Sequence, residues 1–283
     1  MTVRNDPSAM ILDPKDSRFL VLGATGLLGR HIARECAGRS WPVTAMRRWN
    51  RAAECLDFPG IEVVVGDIFE SASLAEALAG VNGVFYCVAP EEDTAPREVL
   101  RRSVEGIRRV LDACRKFEVD RLVLTSSATT IARGAPGWRA TEEEYYLPGT
   151  TDDPFVEAKY AVELEAMRYI ADGFDVVIVN PTLLVGPGVD LSAYARLGVD
   201  ERQPMNVIDV REAARAHAEA MLHGRRGARY ILGGTNTTVG QVFDGWSSRG
   251  RNENRPREAY LVESGQWVDC SRARQELGLA TPG

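Results

Sequence analysis

Residues 19–32 read Phe-Leu-Val-Leu-Gly-Ala-Thr-Gly-Leu-Leu-Gly-Arg-His-Ile, an apolar run passing into Gly23, Gly26 and Gly29, each separated from the next by two residues. Leu20, Val21 and Leu22 have the continuous apolar character of a parallel strand buried on both faces, and Leu27, Leu28 and Ile32 begin a helical period. The stretch therefore predicts a strand, a tight turn and the first turn of a helix. The three glycines serve different ends. Gly23 lets the chain turn sharply, Gly26 lets the backbone approach a phosphate, and Gly29 lets the helix lie close to the strand. The unpaired N–H groups at the helix start offer a seat to an anion, here a pyrophosphate.

The same alternation continues outward from this turn. Residues 42–46 read as a second strand, 61–65 as a third closing on Gly66-Asp67-Ile68, 71–78 as a helix, and 81–88 as a fourth strand. Residues 99–117 then form a long helix, 121–125 a fifth strand, 153–170 a helix beginning near Pro154, and 175–179 a sixth strand running into Asn180-Pro181-Thr182. Unbroken alternation predicts an α/β fold, a parallel sheet with helices on both faces and right-handed crossovers. Arg101, Arg102, Arg108 and Arg109 on the long helix read as a solvated face. Beyond Gly186-Pro187-Gly188 the order loosens into an irregular insert at 191–204, a strand at 206–210, a helix at 211–222 and a closing segment at 230–234. An arginine-rich loop at 247–257 and a short helix at 269–277 follow.

The end of the second strand, where this arrangement meets the adenosine ribose, carries Arg47 and Arg48. An acidic residue there would hold a free 2′-hydroxyl, whereas guanidinium groups favour a 2′-phosphate through paired charge-assisted hydrogen bonds. NADP(H) is thus preferred, with NAD(H) left open, and Arg48 is the first choice for the phosphate and Arg47 the second. Asp67 falls at the end of the third strand, over the adenine. The fifth strand delivers Thr125-Ser126-Ser127-Ala128-Thr129 to the sheet edge where ligands bind, and hydroxyls there can orient a substrate oxygen.

Composition narrows the class of protein. With 283 residues, 45% of them hydrophobic, the chain has material for a large core, and one α/β domain with a smaller lobe fits better than two independent domains. A formal charge of −6 argues against a general nucleic-acid binder. No run of about 18 apolar residues or secretory signal core stands out, so the expectation is a cytoplasmic protein without a membrane span, with residues 1–17 as a disordered tail. Cys36, Cys55, Cys87, Cys114 and Cys270 are scattered and read as reduced, mostly packing thiols, and His31, His217 and His223 do not make a metal site.

Taken in order, Gly23-Ala-Thr-Gly-Leu-Leu-Gly29, Gly66-Asp67-Ile68, Thr125-Ser126-Ser127-Ala128-Thr129, Lys159, Asn180-Pro181, Gly186-Pro187 and Val268-Asp269-Cys270-Ser271 make the chain similar to the extended short-chain dehydrogenase/reductase family. The likeness is to NAD-dependent epimerase/dehydratase-like proteins and the dihydroflavonol-reductase-like branch, which also carries an arginine where Arg48 stands. It implies a Rossmann-type doubly wound parallel sheet with a small, shortened C-terminal substrate lobe. The dinucleotide-binding part would span 18–188 and take in about 205–234, leaving 189–204 and 235–283 for the lobe. For the cofactor it implies Thr25, Leu27 and Leu28 beside the glycines, Ile68 beside Asp67, then Val88, Ala89, Lys159, Pro181 and Thr182.

The family's chemistry uses a Ser or Thr, a Tyr and a Lys, with Tyr four residues before Lys so that both share one helix face. Ser127 matches the serine and Lys159 the lysine, but Phe155 stands at the tyrosine position. Phenylalanine keeps the ring and removes the general acid, which leaves acceptors that need little protonation: quinones, enones, imines and activated heteroaromatics. Tyr160 should point away from Phe155 and Lys159, while Tyr145 and Tyr146, in the preceding loop, are candidates to fold over the site. The resemblance thus implies an NADPH-dependent reductase of a small or flat molecule. The alternative is a catalytically silent NADP(H)-binding sensor or partner subunit, and a sugar-nucleotide epimerase or dehydratase ranks third. It also implies a homodimer through the helices at 99–117 and 155–170, neither of which has a decisive apolar stripe.

Overall fold

The computed structural model describes residues 12–51, 54–89, 94–131, 138–150, 153–189, 200–247 and 267–280. The opening stretch forms β1 (Phe19–Leu22) and α1 (Leu27–Gly38), followed by β2 (Val43–Arg47), β3 (Ile61–Val65), α2 (Ser71–Leu78) and β4 (Gly83–Tyr86). Next come α3 (Pro96–Lys116), β5 (Arg121–Thr125), β6 (Arg139–Ala140), α4 (Pro154–Ala171), β7 (Val176–Pro181) and β8 (Leu183–Val185). The remainder supplies β9 (Pro204–Asp209), α5 (Val210–His223), β10 (Arg229–Leu232), β11 (Thr235–Thr238), α6 (Val239–Ser247), β12 (Trp267–Val268) and α7 (Ser271–Leu277).

Seven strands make one sheet in the order β10-β7-β5-β4-β1-β2-β3, every neighbouring pair parallel. All four residues of β1 are buried, and because strand side chains alternate, they serve two cores. Phe19 and Val21 pack with α1, α5 and α7, while Leu20 and Leu22 pack with α2, α3 and α4. A fully buried Leu or Phe contributes about 1.5–3 kcal/mol, so a strand with two apolar faces anchors both layers. The doubly wound parallel sheet expected from the sequence is the fold observed. Among the described residues no helix is long and apolar enough to cross a membrane, and no group of His, Cys, Asp and Glu suits a metal ion.

Element ends differ from expectation in places with physical causes. The fourth strand covers only Gly83–Tyr86, since Val88 and Ala89 leave the ladder where the crevice opens. The long helix starts at Pro96, whose fixed φ and missing N–H suit a first helical position. Residues 1–11 of the tail lie outside the described residues, yet Leu12 is buried in the α1 core and the Asp13 carbonyl accepts the N–H groups of Asp16 and Ser17. The inserts at 190–199 and 248–266 lie outside the described residues too.

Two small sheets lie beside the central one, of which the sequence showed only β9, the strand expected at 206–210. One has the order β11-β9-β8, the other pairs β12 with β6. Asn206 links their parts: its amide donates to Asn236 Oδ1 at 2.9 Å, and Asn236 donates to the Val268 carbonyl at 3.1 Å.

Candidate functional site

A cavity of about 830 Å³ opens at the carboxyl ends of β1, β2, β3 and β4, and α3 and α4 close its other side. The first strand has β4 on one side and β2 on the other, so this is the switch point where strand order reverses and ligands bind in such sheets. Its floor is the glycine turn. Gly23 has φ +80°, and a Cβ there would lie 2.6 Å from the Cys87 carbonyl oxygen; one on Gly29 would lie 2.3 Å from the Gly23 oxygen. Both positions therefore exclude any side chain. Gly26 caps α1 without a side-chain hydrogen bond, and the first turn holds no acidic residue, so its N–H groups are left for an anion. These residues fit the pyrophosphate of a dinucleotide.

The adenosine end gathers Arg47, Arg48, Arg51, Asp67, Ile68 and Phe69. Arg47 Nη1 donates to the carbonyls of Arg51 at 2.7 Å and Arg48 at 3.3 Å, so this guanidinium holds the turn that follows β2. Arg48 lines the cavity beside it. Asp67 Oδ1 accepts the Phe69 N–H at 2.9 Å, which fixes the loop after β3. The four arginines of α3 are all exposed, as the sequence reading has them. Arg101 and Arg109 pair with glutamates of their own helix, Arg108 bonds Glu165 of α4 at 3.0 Å, and Arg102 stacks 4.9 Å over the Phe69 ring and lines the cavity.

At the other end Asp153 caps α4 by accepting the Phe155 N–H at 2.8 Å, which sets the first turn. Lys159 lines the cavity and donates from Nζ to the Thr125 carbonyl at 3.0 Å. Phe155, one turn earlier, is half-buried. Ser127 is 4% exposed, and its Oγ accepts from Thr129 N at 3.2 Å and Thr129 Oγ1 at 2.9 Å. The cavity thus brings together Gly23, Thr25, Gly26, Arg47, Arg48, Asp67, Ile68, Val88, Ala89 and Lys159. Gly29, Leu27, Leu28, Ser127, Phe155, Pro181 and Thr182 stand outside its lining. Leu28 belongs to the core, Pro181 sits in β7, and Thr182 Oγ1 bonds Asn206 at 2.8 Å. Tyr146 gives its hydroxyl to Glu157 at 2.7 Å and packs edge-on to Tyr160, while Tyr145 lies under the Arg229 guanidinium at 4.6 Å. Glu157 is two residues from Lys159 on the helix, so this pair covers the opposite face of α4.

Two buried groups stand behind the loop after β5, Glu163, which escaped the sequence reading, and His217. Glu163, 0% exposed, receives Thr130 Oγ1 at 2.6 Å, Asn180 Nδ2 at 2.7 Å and the Ser126 hydroxyl. It shares the Lys159 face by its i+4 spacing, and that was the available signal. On the opposite face of the sheet His217 donates from Nδ1 to the Ala213 carbonyl at 2.7 Å, a tautomer assigned from the acceptor, so its Nε2 accepts the Thr125 hydroxyl at 3.0 Å. Burial pushes His217 down to about 4 and the Cys87 thiol beside Thr125 up to about 11. Both are uncharged at neutral pH.

Residues 19–233 match a family described as the NAD dependent epimerase/dehydratase family. A putative dihydroflavonol 4-reductase of Synechocystis is 32% identical, the match covering 92% of this chain and 89% of that protein. Sterol demethylase protein B of Methylococcus capsulatus is 28% identical over 92% of each chain. Among solved structures, a nucleoside-diphosphate-sugar epimerase from Pseudomonas aeruginosa superposes with a TM-score of 0.78 and 25% identity, covering 94% of this chain and 93% of its own. With the glycine cradle, the switch-point cavity and Lys159 in place, the chain belongs to the NAD dependent epimerase/dehydratase family.

Proposed function

We propose that the chain is an NADPH-dependent reductase of the extended short-chain type that works without the tyrosine acid, delivering hydride to a small or flat acceptor. The observation that carries this reading is the continuity of one cavity from Arg48, past the glycine turn, to Lys159. When bound, the nicotinamide supplies the hydride. Arg48 takes the 2′-phosphate while Arg47 holds the turn beneath it, Asp67 and Ile68 flank the adenine, and Lys159 anchors the nicotinamide ribose. Phe155 packs beside the ring and offers no proton. General acid catalysis is worth roughly 10²- to 10⁴-fold, so ordinary ketones are poor substrates and quinones, enones, imines or activated heteroaromatics are better ones. Two relatives carry names that refer to dihydroflavonol and sterol, both fused-ring molecules, which supports a flat acceptor. Residues 18–188 with 205–234 form the dinucleotide-binding part in this reading, and 189–204 with 235–283 the substrate lobe. A cytoplasmic homodimer through α3 and α4 accompanies it, with Leu100 and Leu164 exposed on those helices.

Titration with NADPH, followed by its oxidation in the presence of menadione, an enone and a cyclic imine, tests the proposal. Binding with turnover of at least one acceptor is expected, and protein that neither binds nor oxidises NADPH refutes it. One observation favours a second reading, a silent NADP(H)-binding sensor. The Ser127 hydroxyl is occupied by Thr129 and almost fully covered. Tight NADPH binding with no turnover of any acceptor would select that reading.

A further inference from the structure

The central sheet has two edges, β10 and β3, and the molecule treats them differently. At the β10 edge, side chains take up backbone groups that face outward. Glu142 Oε1 accepts the Ile231 N–H at 3.0 Å, and Arg272 Nη1 donates to the Arg229 carbonyl at 3.3 Å. At the other edge β3 reads Ile-Glu-Val-Val-Val. The Gly66 N–H donates to the Arg47 carbonyl at 2.9 Å, so Val64 and Glu62, at two-residue steps from Gly66, also turn their backbone groups toward β2. Ile61, Val63 and Val65 therefore turn theirs outward. The Ile61 N–H returns to the Phe58 carbonyl at 3.2 Å, and among the described residues the outward groups of Val63 and Val65 have no partner. Their side chains are open as well. Ile61 packs with the α1 core and Val64 with the α2 core, which puts Val63 and Val65 on the α1 side of the strand, 38% and 55% exposed. Neither proline nor lysine blunts this edge, the usual protection of an exposed strand. Exposed Phe58 leads into the strand, and exposed Trp49 stands just past the end of β2.

We propose that β3 pairs with β3 of a second copy of this chain, antiparallel about a two-fold axis through Val63, joining the two central sheets into one. The strand is complementary to itself in that register. Ile61, Val63 and Val65 of one copy meet Val65, Val63 and Ile61 of the other, so residues with outward backbone groups face one another and exchange hydrogen bonds. Their apolar side chains make cross-strand pairs on the α1 side, and Glu62 falls opposite Val64 of the second copy rather than a second carboxylate. Phe58 of each copy is carried toward the Trp49 end of the other. Because Glu142 and Arg272 close the β10 edge, the sheet ends there and does not grow into a fibre. This contact is independent of the cofactor and distinct from the pairing through α3 and α4.

The test reads the oligomeric state of the full chain. In sedimentation, Val63→Lys and Val65→Lys should each halve the mass of the wild-type assembly, since a charge at either position meets its own copy or an apolar residue. Both side chains are exposed, so these variants should keep the wild-type melting temperature. Cross-linking reads the register. Val63→Cys should give a disulfide-linked pair under mild oxidation, beyond any that wild type forms, because hydrogen-bonded antiparallel partners hold their Cα atoms about 5.5 Å apart, within disulfide reach. Val64→Cys, which opposes Glu62, should not. Adding Leu164→Lys on α4 separates the two contacts, and the cross-link at position 63 should survive it. A wild type with the mass of one chain, lysine variants of unchanged mass, or equal cross-linking at 63 and 64 overturns the proposal.

Discussion

Glu163 Oε2 and Arg229 Nη2 stand 3.2 Å apart with their side chains 0% and 3% exposed, joining the middle of α4 to the start of β10. Arg229 also donates to the carbonyls of Glu142, Glu144 and Thr130, at 3.2, 3.0 and 3.2 Å. One ion pair thus ties together the turn after β5, the segment before α4 and the sheet.

Removing half of a buried pair strands the other charge, at a cost of about 3–5 kcal/mol. Glu163→Gln is therefore expected to lose about that much stability in urea unfolding. The double replacement Glu163→Gln with Arg229→Met should recover a substantial part of it. A single variant as stable as wild type would show that the pair contributes nothing net.

His217 sets a pH dependence whose sign is fixed by its burial. Unfolded, the imidazole titrates near 6.5, and in the fold near 4, because burial disfavours the cation. Above 6.5 neither state takes up the proton. Between 6.5 and 4 only the unfolded state does, so stability falls as pH drops through this window, by on the order of 3 kcal/mol in all. Urea midpoints at pH 7.5 and pH 5 should separate more for wild type than for His217→Asn, and equal separations would contradict the assignment.

The two arginines after β2 should fail differently. Arg48→Ala is expected to weaken NADPH about tenfold to a hundredfold, the worth of a charge-assisted contact, and to leave NADH unchanged. Arg47→Ala removes the donor to the Arg51 and Arg48 carbonyls, so it should weaken both cofactors together. Parallel NADPH and NADH titrations decide between these patterns.

Phe155→Tyr returns a phenol to the helix face of Lys159. Ketone reduction should rise by about tenfold or more, while quinone reduction changes little. No gain in a variant that binds NADPH and a test ketone would show that the ring does not face the acceptor.

The parts legible in the sequence are those where one residue type admits a single backbone solution. Gly23 at φ +80° and Gly29 against the Gly23 carbonyl are such places, and the apolar runs of β1, β5 and β7 are others. Lys159 was legible through its motif. Apart from β9, the small sheets were not, because β6 and β12 have two residues each and β11 reads Thr-Asn-Thr-Thr, with no alternation of apolar and polar residues. Arg102 is exposed, as read, but its second contact was not legible. Helical spacing places it on the outer side of α3, but the Phe69 ring beneath draws its guanidinium across the cavity mouth. Glu163 and Arg229 lie 66 positions apart, from 229 − 163, and only the completed sheet makes them neighbours.

The strand order also governs when each part of the molecule can form. The first strand made is a central one, and it gains its second neighbour only after Tyr86 has been synthesised. The cavity lacks Lys159 until α4 exists, and the far edge of the sheet waits for Leu232. Nearly all of this pairing is parallel and distant in sequence, a topology that folds slowly because loop closure precedes the contacts that reward it. A ribosome-bound chain stopped before α4 would therefore expose the apolar faces of β1 and β4, making assembly of the second half the vulnerable interval in the life of this protein.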